Sequence, residues 1–173
     1  MQAFTFFGLP MLAQEAASTK LTVTAISAHQ GSSTLECWQM DQPFITSNSV
    51  GTSRRADTTL GAASNITYSV FPPGYDLGIH NAPCAQWVVF ISGLVYISIP
   101  DDDTSSALIP GGAFGLIFAA DTKDVSVGGH RTQFPGMTDT TVLQIPTADG
   151  KVPEHQVLHR GLCSAGNIAG ISG

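Results

Sequence analysis

Two histidines and a glutamine near the middle of the chain are the side chains best suited to chemistry. His80 precedes Gln86, which begins a long apolar run, and His130 follows a pair of glycines further along. A neutral imidazole can accept a proton and return it near neutral pH. A buried amide can orient a carbonyl or hydroxyl group and stabilise an oxyanion. His80, Gln86 and His130 are therefore the predicted catalytic residues.

Aromatic and acidic side chains on neighbouring segments are candidates for substrate binding. Tyr68 lies on a predicted strand, where it could equally be a core aromatic with its hydroxyl at the rim. Asp121 follows the apolar segment Gly115 to Ala120 and could supply a carboxylate. The predicted substrate contacts are Tyr68, Phe90, Phe118 and Asp121.

Composition excludes several other classes of function. The net charge of −6 and the lack of clustered Lys and Arg argue against nucleic-acid binding. The chain contains no G-x-S-x-G elbow, phosphate-binding loop or H-E-x-x-H segment. No apolar run approaches the ~20 residues of a membrane helix, so no membrane partner is predicted. His29, His155 and His159 fall in predicted loops or tail, where surface roles are expected.

The elements that must position these residues are predicted to be strands. The chain has 173 residues, enough for one domain, and only 12% of them are charged. Thr, Val, Ile and Phe recur between turn residues every 8–12 positions, a pattern typical of an all-β sandwich or barrel. The predicted strands are 20–26, 33–40, 65–71, 86–91, 94–99, 107–109, 115–120 and 138–145. Because side chains alternate along a strand, Trp87 should face away from Gln86.

The segment from Gly74 to Gly93 resembles the first motif of the cupin superfamily, G-x5-H-x-H-x3/4-E-x6-G. Gly74, His80 and Gly93 stand at the spacing of the family. Ala82 replaces the second histidine, and Gln86 replaces the glutamate. The second motif, G-x5-P-x-G-x2-H-x3-N, is partly matched, with His130 as its candidate histidine.

The resemblance implies a jelly-roll β-barrel, and it covers roughly Ile66 to Ile145. In the family, histidines and a glutamate hold Fe, Mn, Ni or Zn. By carry-over, His80, Gln86 and His130 would be the metal ligands, without a carboxylate at the motif positions. The expected cofactor is therefore none, or a divalent metal bound weakly.

These features favour a small-molecule-binding cupin that acts as a lyase, isomerase or cyclase on a small apolar metabolite through histidine acid–base chemistry. One alternative is a ligand-binding or structural cupin without turnover, suggested by Ala82 and Gln86. A second alternative is a metal-dependent oxygenase, which would need a bound metal with open positions.

The remaining predictions concern organisation and compartment. Residues 1–20 are predicted to be an apolar arm or a signal-like segment, 21–160 the barrel domain and 161–173 a tail. The arm, with Phe4, Phe6, Phe7 and Leu9, suggests a homodimer, as in cupin relatives. Cys37, Cys84 and Cys163 are compatible with one disulfide plus a free thiol or with three buried thiols. A cytoplasmic location is favoured slightly over secretion.

Overall fold

Alternating apolar and polar residues, interrupted by glycine and proline turns, build this protein from strands. The structure, a computed structural model, describes residues 19–47, 49–51, 55–164 and 167. Within these residues there are thirteen strands and no helix. The strands are β1 (Lys20–His29), β2 (Ser32–Pro43), β3 (Ile45–Thr46), β4 (Ala56–Asp57), β5 (Thr67–Phe71), β6 (Asp76–His80), β7 (Gln86–Phe90), β8 (Leu94–Ile99), β9 (Asp102–Pro110), β10 (Leu116–Ala119), β11 (His130–Gln133), β12 (Thr140–Pro146) and β13 (His155–Arg160). The predicted all-β class is confirmed.

The strands are arranged in two larger sheets and one small one. Seven strands form a sheet in the order β13-β2-β1-β10-β7-β12-β5, and four form another in the order β6-β11-β8-β9. β3 and β4 pair separately. β1 and β10 run parallel, whereas the other pairings in the described part are antiparallel. None of the sheets closes into a barrel.

The two larger sheets enclose a shared apolar core. Val88 and Phe90 from the seven-stranded sheet belong to the same buried cluster as Ile97 from the four-stranded sheet. Alternation along β7 and β10 directs Trp87 and Phe118 to the other face of the seven-stranded sheet, into a second buried cluster. The prediction that Trp87 faces away from Gln86 is therefore confirmed. Of the two faces of the seven-stranded sheet, the inner one, which carries Gln86, is the face on which a site between the sheets could form.

Five strands were not predicted from the sequence pattern, namely β3, β4, β6, β11 and β13. Each has too few apolar residues in alternation to be recognised, and β6 and β13 lie at sheet edges, where one side is open to solvent. The prediction that His29, His155 and His159 lie in loops or the tail is wrong, because His29 is the last residue of β1 and the other two are in β13. His155 stacks on Trp38 with ring centroids 3.6 Å apart.

Glycine occupies positions 74 and 93, at the two ends of the segment that resembles the first cupin motif, for different structural reasons. Gly74 and Gly93 both have positive φ, at 74° and 82°. A Cβ on Gly74 would meet open space, whereas a Cβ on Gly93 would lie 2.6 Å from the Cα of Thr140. Gly93 is therefore required by close backbone packing between the turn after β7 and the start of β12.

A disulfide joins Cys37 in β2 to Cys163, which follows β13. Cys84 is a free, partly exposed thiol. Of the two cysteine arrangements open from the sequence, the structure has one disulfide and one free thiol. The disulfide closes a long loop of chain and holds the segment after the edge strand β13 against the neighbouring strand β2.

Some predictions fall outside the described residues. Residues 1–18, which include most of the proposed arm and its phenylalanines, are among them, as is most of the 161–173 tail. In the described part of the chain, no helix is long and apolar enough to cross a membrane.

Replacing Gly93 by alanine should destabilise the protein by roughly 2–4 kcal/mol, because the new methyl group collides with backbone and the positive φ is strained. Gly74→Ala is the matched control, with a strain cost of about 1 kcal/mol and no collision. Urea unfolding followed by tryptophan fluorescence measures both. Equal losses for the two variants would contradict the proposed close contact at Gly93.

Removing the disulfide through Cys163→Ser should lower the free energy of unfolding by about 2–4 kcal/mol, since the crosslink restricts the unfolded chain. Cys84→Ser is the control, because that thiol is unpaired. Unfolding in urea with and without a reductant provides the measurement. A wild-type protein that is equally stable in both conditions would show that the disulfide does not form.

Candidate functional site

A bulge in β6 determines which of its side chains face inward. Thr132 pairs with Gly78 and Gln133 with Asp76, so Leu77 is the extra residue. Gly78 has a φ of 71°, a conformation that glycine adopts without steric cost, and its N–H donates to Asp76 Oδ1 at 2.8 Å. The bulge changes the alternation of the strand. As a result, Leu77 and His80, three positions apart, line the same cavity.

An ion pair on the outer face joins β6 to β11. Arg131 Nη2 contacts Asp76 Oδ2, Arg131 Nε donates to the same oxygen at 3.1 Å, and Gln133 Nε2 donates to it at 3.0 Å. The hydrogen bond from Arg131 is the main reason that the pKa of Asp76 is lowered to about 2. The pair is exposed, so its role is to align the two strands rather than to supply much stability.

A cavity of about 280 Å³ lies between the two larger sheets. Most of its lining is apolar and comes from both sheets, and the described lining residues include no Lys, Arg, Asp or Glu. Five polar side chains complete it: His80, Gln86, His130, Thr132 and Gln144. The structure therefore brings the three predicted catalytic residues into one cavity, although they come from three different strands.

His130 is held by a buried carboxylate. Its Nδ1 lies 2.7 Å from Oδ2 of Asp121, whose side chain is fully buried. A carboxylate accepts hydrogen bonds, so Nδ1 carries the proton, and in the neutral imidazole Nε2 keeps its lone pair. This is the arrangement by which a carboxylate orients a histidine base. Asp121 does not line the cavity; it contacts His130 instead of substrate.

The carboxylate of Asp121 is itself fixed by further hydrogen bonds. Ser33 Oγ donates to Oδ2 at 2.7 Å, and the backbone N–H of Ala82 donates to Oδ1 at 3.3 Å. Ser126 Oγ lies 2.7 Å from Ser33 Oγ and accepts from the N–H of Gly129. Because the Ser33 hydrogen is committed to Asp121, Ser126 donates to Ser33. The donor and the acceptor of each hydrogen bond in this series from Ser126 to His130 are thereby determined.

His80 has a similar but uncharged partner. Its Nδ1 lies 3.1 Å from the carbonyl oxygen of Gly78 and donates to it, which leaves Nε2 available. The ring centroids of His80 and His130 are 4.5 Å apart. Burial lowers the pKa of His80 below its ordinary value of 6.5, and a charge on His130 would lower it further. His80 is therefore neutral at pH 7.

The side chain of Gln86 lacks a hydrogen-bond partner in the described part of the protein. It is only 4% exposed, and it makes no side-chain hydrogen bond within the described part of the chain. No fully enclosed side-chain nitrogen or oxygen there is unpaired. The amide of Gln86 must therefore reach the surface of the cavity that it lines, where it can bond to a ligand.

The predicted metal ligands form an incomplete set. Among the described residues, no three His, Cys, Asp or Glu side chains are grouped closely enough to hold a metal ion. The nearest carboxylate, Asp121, has both oxygens occupied by protein donors. His80, Gln86 and His130 offer two imidazoles and a neutral amide. Such a donor set does not fit a tightly held divalent cation.

The four predicted substrate contacts have different positions. Phe90 lines the cavity. Tyr68 is 65% exposed on the edge strand β5, and Phe118 is buried in the cluster on the opposite face of the sheet. Neither lines the cavity, so their positions do not support a role in binding a ligand there. Asp121 is next to the cavity but acts through His130.

A wider depression lies on the outer side of His80. His80, Ala82 and Pro83 line both spaces, and the outer one, of about 1030 Å³, also contains Cys84 and part of the loop after Asp121. A ligand entering the inner cavity from this side would pass His80.

Several residues of the site were not identified from the sequence. Ser33 is far from His130 in the chain, and although Ser126 is only four positions before His130, no motif connects the two serines to it. Asn81 Nδ2 donates to the carbonyl oxygens of Asp121 and Ser126, at 3.0 and 2.9 Å, and so fixes the loop that carries the carboxylate. The available signal was the position of Asn81 beside His80, which by itself indicates no role.

Comparison with known proteins does not assign the chain to a family. No family model matches it, and no curated protein matches its sequence.

The lowered pKa of His80 predicts how stability depends on pH. Below pH 6.5 the unfolded chain binds a proton at this residue more readily than the folded protein, so its contribution to stability is complete above that pH and is lost as the pH falls. His80→Asn should weaken this dependence, whereas His29→Asn, at an exposed position, should not. Urea unfolding between pH 5 and 8 checks it. A histidine NMR titration placing His80 at or above the ordinary value would contradict the prediction.

Proposed function

We propose that this protein is a small-molecule-binding cupin that acts as a lyase, isomerase or cyclase through histidine acid–base chemistry. The observation that carries the proposal is the Asp121–His130 pair at the wall of an apolar cavity. A base of this kind is useful only if a substrate can reach Nε2, and His130 lines the cavity.

Three features of the site support proton transfer. The carboxylate orients His130 and would stabilise the imidazolium that forms when Nε2 takes a proton. His80 is neutral at pH 7 and lies beside His130. The hydrogen bond from its Nδ1 to the Gly78 carbonyl orients the ring, and Nε2 could accept or donate a second proton. The apolar lining keeps the number of competing water contacts small, which strengthens electrostatic interactions with the substrate.

The proposed mechanism begins with abstraction of a proton from a substrate carbon by Nε2 of His130. Asp121 accepts the hydrogen bond from Nδ1 and holds the ring, as a positioning residue. The proton is then returned to another atom, giving an isomer, or a leaving group departs, giving an elimination product. The site residues described above suffice for either step without an additional reactant.

The finer fold assignment belongs to the same proposal. Two facing antiparallel-rich sheets around one core, together with Gly74, His80 and Gly93 at the family spacing, support a jelly roll of the cupin type. His80 and His130 are direct partners across β6 and β11, as two histidines of one inward-facing site would be.

A ligand-binding protein without turnover is the second candidate. It is favoured by Gln86 and Ala82, which replace charged or coordinating residues with neutral ones. In that case the cavity would hold a ligand equally well after the base is removed, so binding and proton transfer must be measured separately.

The disulfide bears on the compartment. Structural disulfides persist in oxidising environments and are rare in the cytosol. The Cys37–Cys163 bond therefore supports an oxidising compartment, in contrast to the slight preference for the cytoplasm obtained from composition.

A proton-transfer probe tests the proposal without knowledge of the natural substrate. In 5-nitrobenzisoxazole, loss of the ring C–H proton to a base breaks the N–O bond, and the ring opens to a single coloured product that carries both a nitrile and a phenolate. Wild-type protein should accelerate this reaction, and His130→Gln should reduce the rate by about 10²-fold, the usual contribution of a general base. Absorbance at the phenolate band measures the rate.

Two further variants provide a control for the His130 variant and a test of Asp121 as the residue that positions His130. His29→Gln, at an exposed position, should leave the rate unchanged. Asp121→Asn should lower the rate and move the rate–pH profile to lower pH, a change that mere loss of structure would not produce. Equal rates for wild type and His130→Gln would exclude His130 as the base and favour the ligand-binding alternative.

A further inference from the structure

The size of the inner cavity limits the substrate. A cavity of about 150 Å³ accommodates benzene, with six carbon atoms. By proportion, the 280 Å³ here accommodates a molecule of roughly eleven non-hydrogen atoms. A single ring with a short substituent satisfies this limit, whereas a nucleotide or an oligosaccharide unit with its neighbours does not.

The charge of the residues that line the cavity limits the substrate further. No described residue lining the cavity is Lys or Arg, so a carboxylate or phosphate would find no permanent cation. His130 is already paired with Asp121, and burial keeps His80 neutral. An uncompensated charge in such a site is costly. The buried part of the substrate must therefore be neutral.

The polar groups at the wall indicate which neutral group is bound. Gln86 presents an amide with no protein partner, on a strand whose next inward residues, Val88 and Phe90, are apolar. Gln144, on the neighbouring strand β12, uses its Oε1 to accept from Ser69 Oγ at 3.5 Å, which leaves its N–H groups for the cavity. The N–H groups of Gln86 and Gln144 are therefore available at this wall, and they suit an oxygen acceptor.

We propose that the substrate is a neutral carbonyl compound of about this size, whose carbonyl oxygen accepts a hydrogen bond from Gln86 while an adjacent C–H faces His130. This inference rests on the proposed function. Nε2 takes the proton from the α-carbon, and the electron pair of the C–H bond forms the C=C bond of an enolate. The carbonyl π electrons move to the oxygen, where the Gln86 N–H stabilises the charge. Returning the proton to carbon completes the cycle.

Exchange of α-protons for deuterium tests this class with two matched probes. 4-Acetylbenzamide and 4-acetylbenzoate have equal numbers of non-hydrogen atoms and differ in charge. In deuterium oxide, wild-type protein should accelerate loss of the methyl proton signal of the amide, and should accelerate that of the acid at least tenfold less. Proton NMR follows both reactions.

The role of Gln86 is tested with the same probes. Gln86→Leu retains the approximate volume but removes the donor, and should slow exchange of the amide probe by about 10²-fold, as loss of one oxyanion donor does. Gln156→Leu, at an exposed position in β13, is the control. Circular dichroism and urea unfolding establish that each variant is folded.

The outcomes distinguish this inference from the proposed function. If benzisoxazole opening depends on His130 but neither ketone exchanges, the base is present and the carbonyl class is wrong. Equal acceleration of the amide and the acid would overturn the neutral-substrate inference. Unchanged exchange in folded Gln86→Leu would remove the assigned role of the amide.

Discussion

A carboxylate buried between two sheets must be surrounded by hydrogen-bond donors, and this requirement shapes the site. Asp121 meets it with a hydroxyl from β2, a backbone N–H from the segment after β6 and the imidazole of β11. These three segments belong to different sheets or loops. The hydrogen bonds of one side chain therefore tie together the walls of the cavity, and the same bonds set the tautomer of His130.

The fold and the site were predictable to different degrees because they depend on different kinds of information. Strands such as β7 and β8 have enough apolar residues in alternation to be recognised locally. β6 and β11 do not, although they carry His80 and His130, because a strand that presents polar groups to a cavity loses the apolar pattern that reveals it. The resemblance to the cupin motif singled out His80, where periodicity could not.

Asp121 shows where sequence reasoning ended. Its place after an apolar strand suggested that it could supply a carboxylate, but the direction of its side chain depends on Ser33, which is 88 positions away. Tyr68 and Phe118 show the opposite error. Both are aromatic residues on real strands, yet one lies on the open edge and the other on the opposite face. Which face of a strand is the inner one is decided by the partner sheet, and the sequence of a single strand does not contain that information.

The loop between Asp121 and His130 contributes both to the hydrogen bonds that orient His130 and to the rim of the outer depression. Its first residue orients the base, Ser126 completes the hydroxyl chain, and residues between them, including Lys123 and Val125, form one rim of the outer depression. An excursion of this loop that widens the entrance would also break the contacts that hold the imidazole. The width of the entrance and the orientation of the base therefore depend on the same segment of chain.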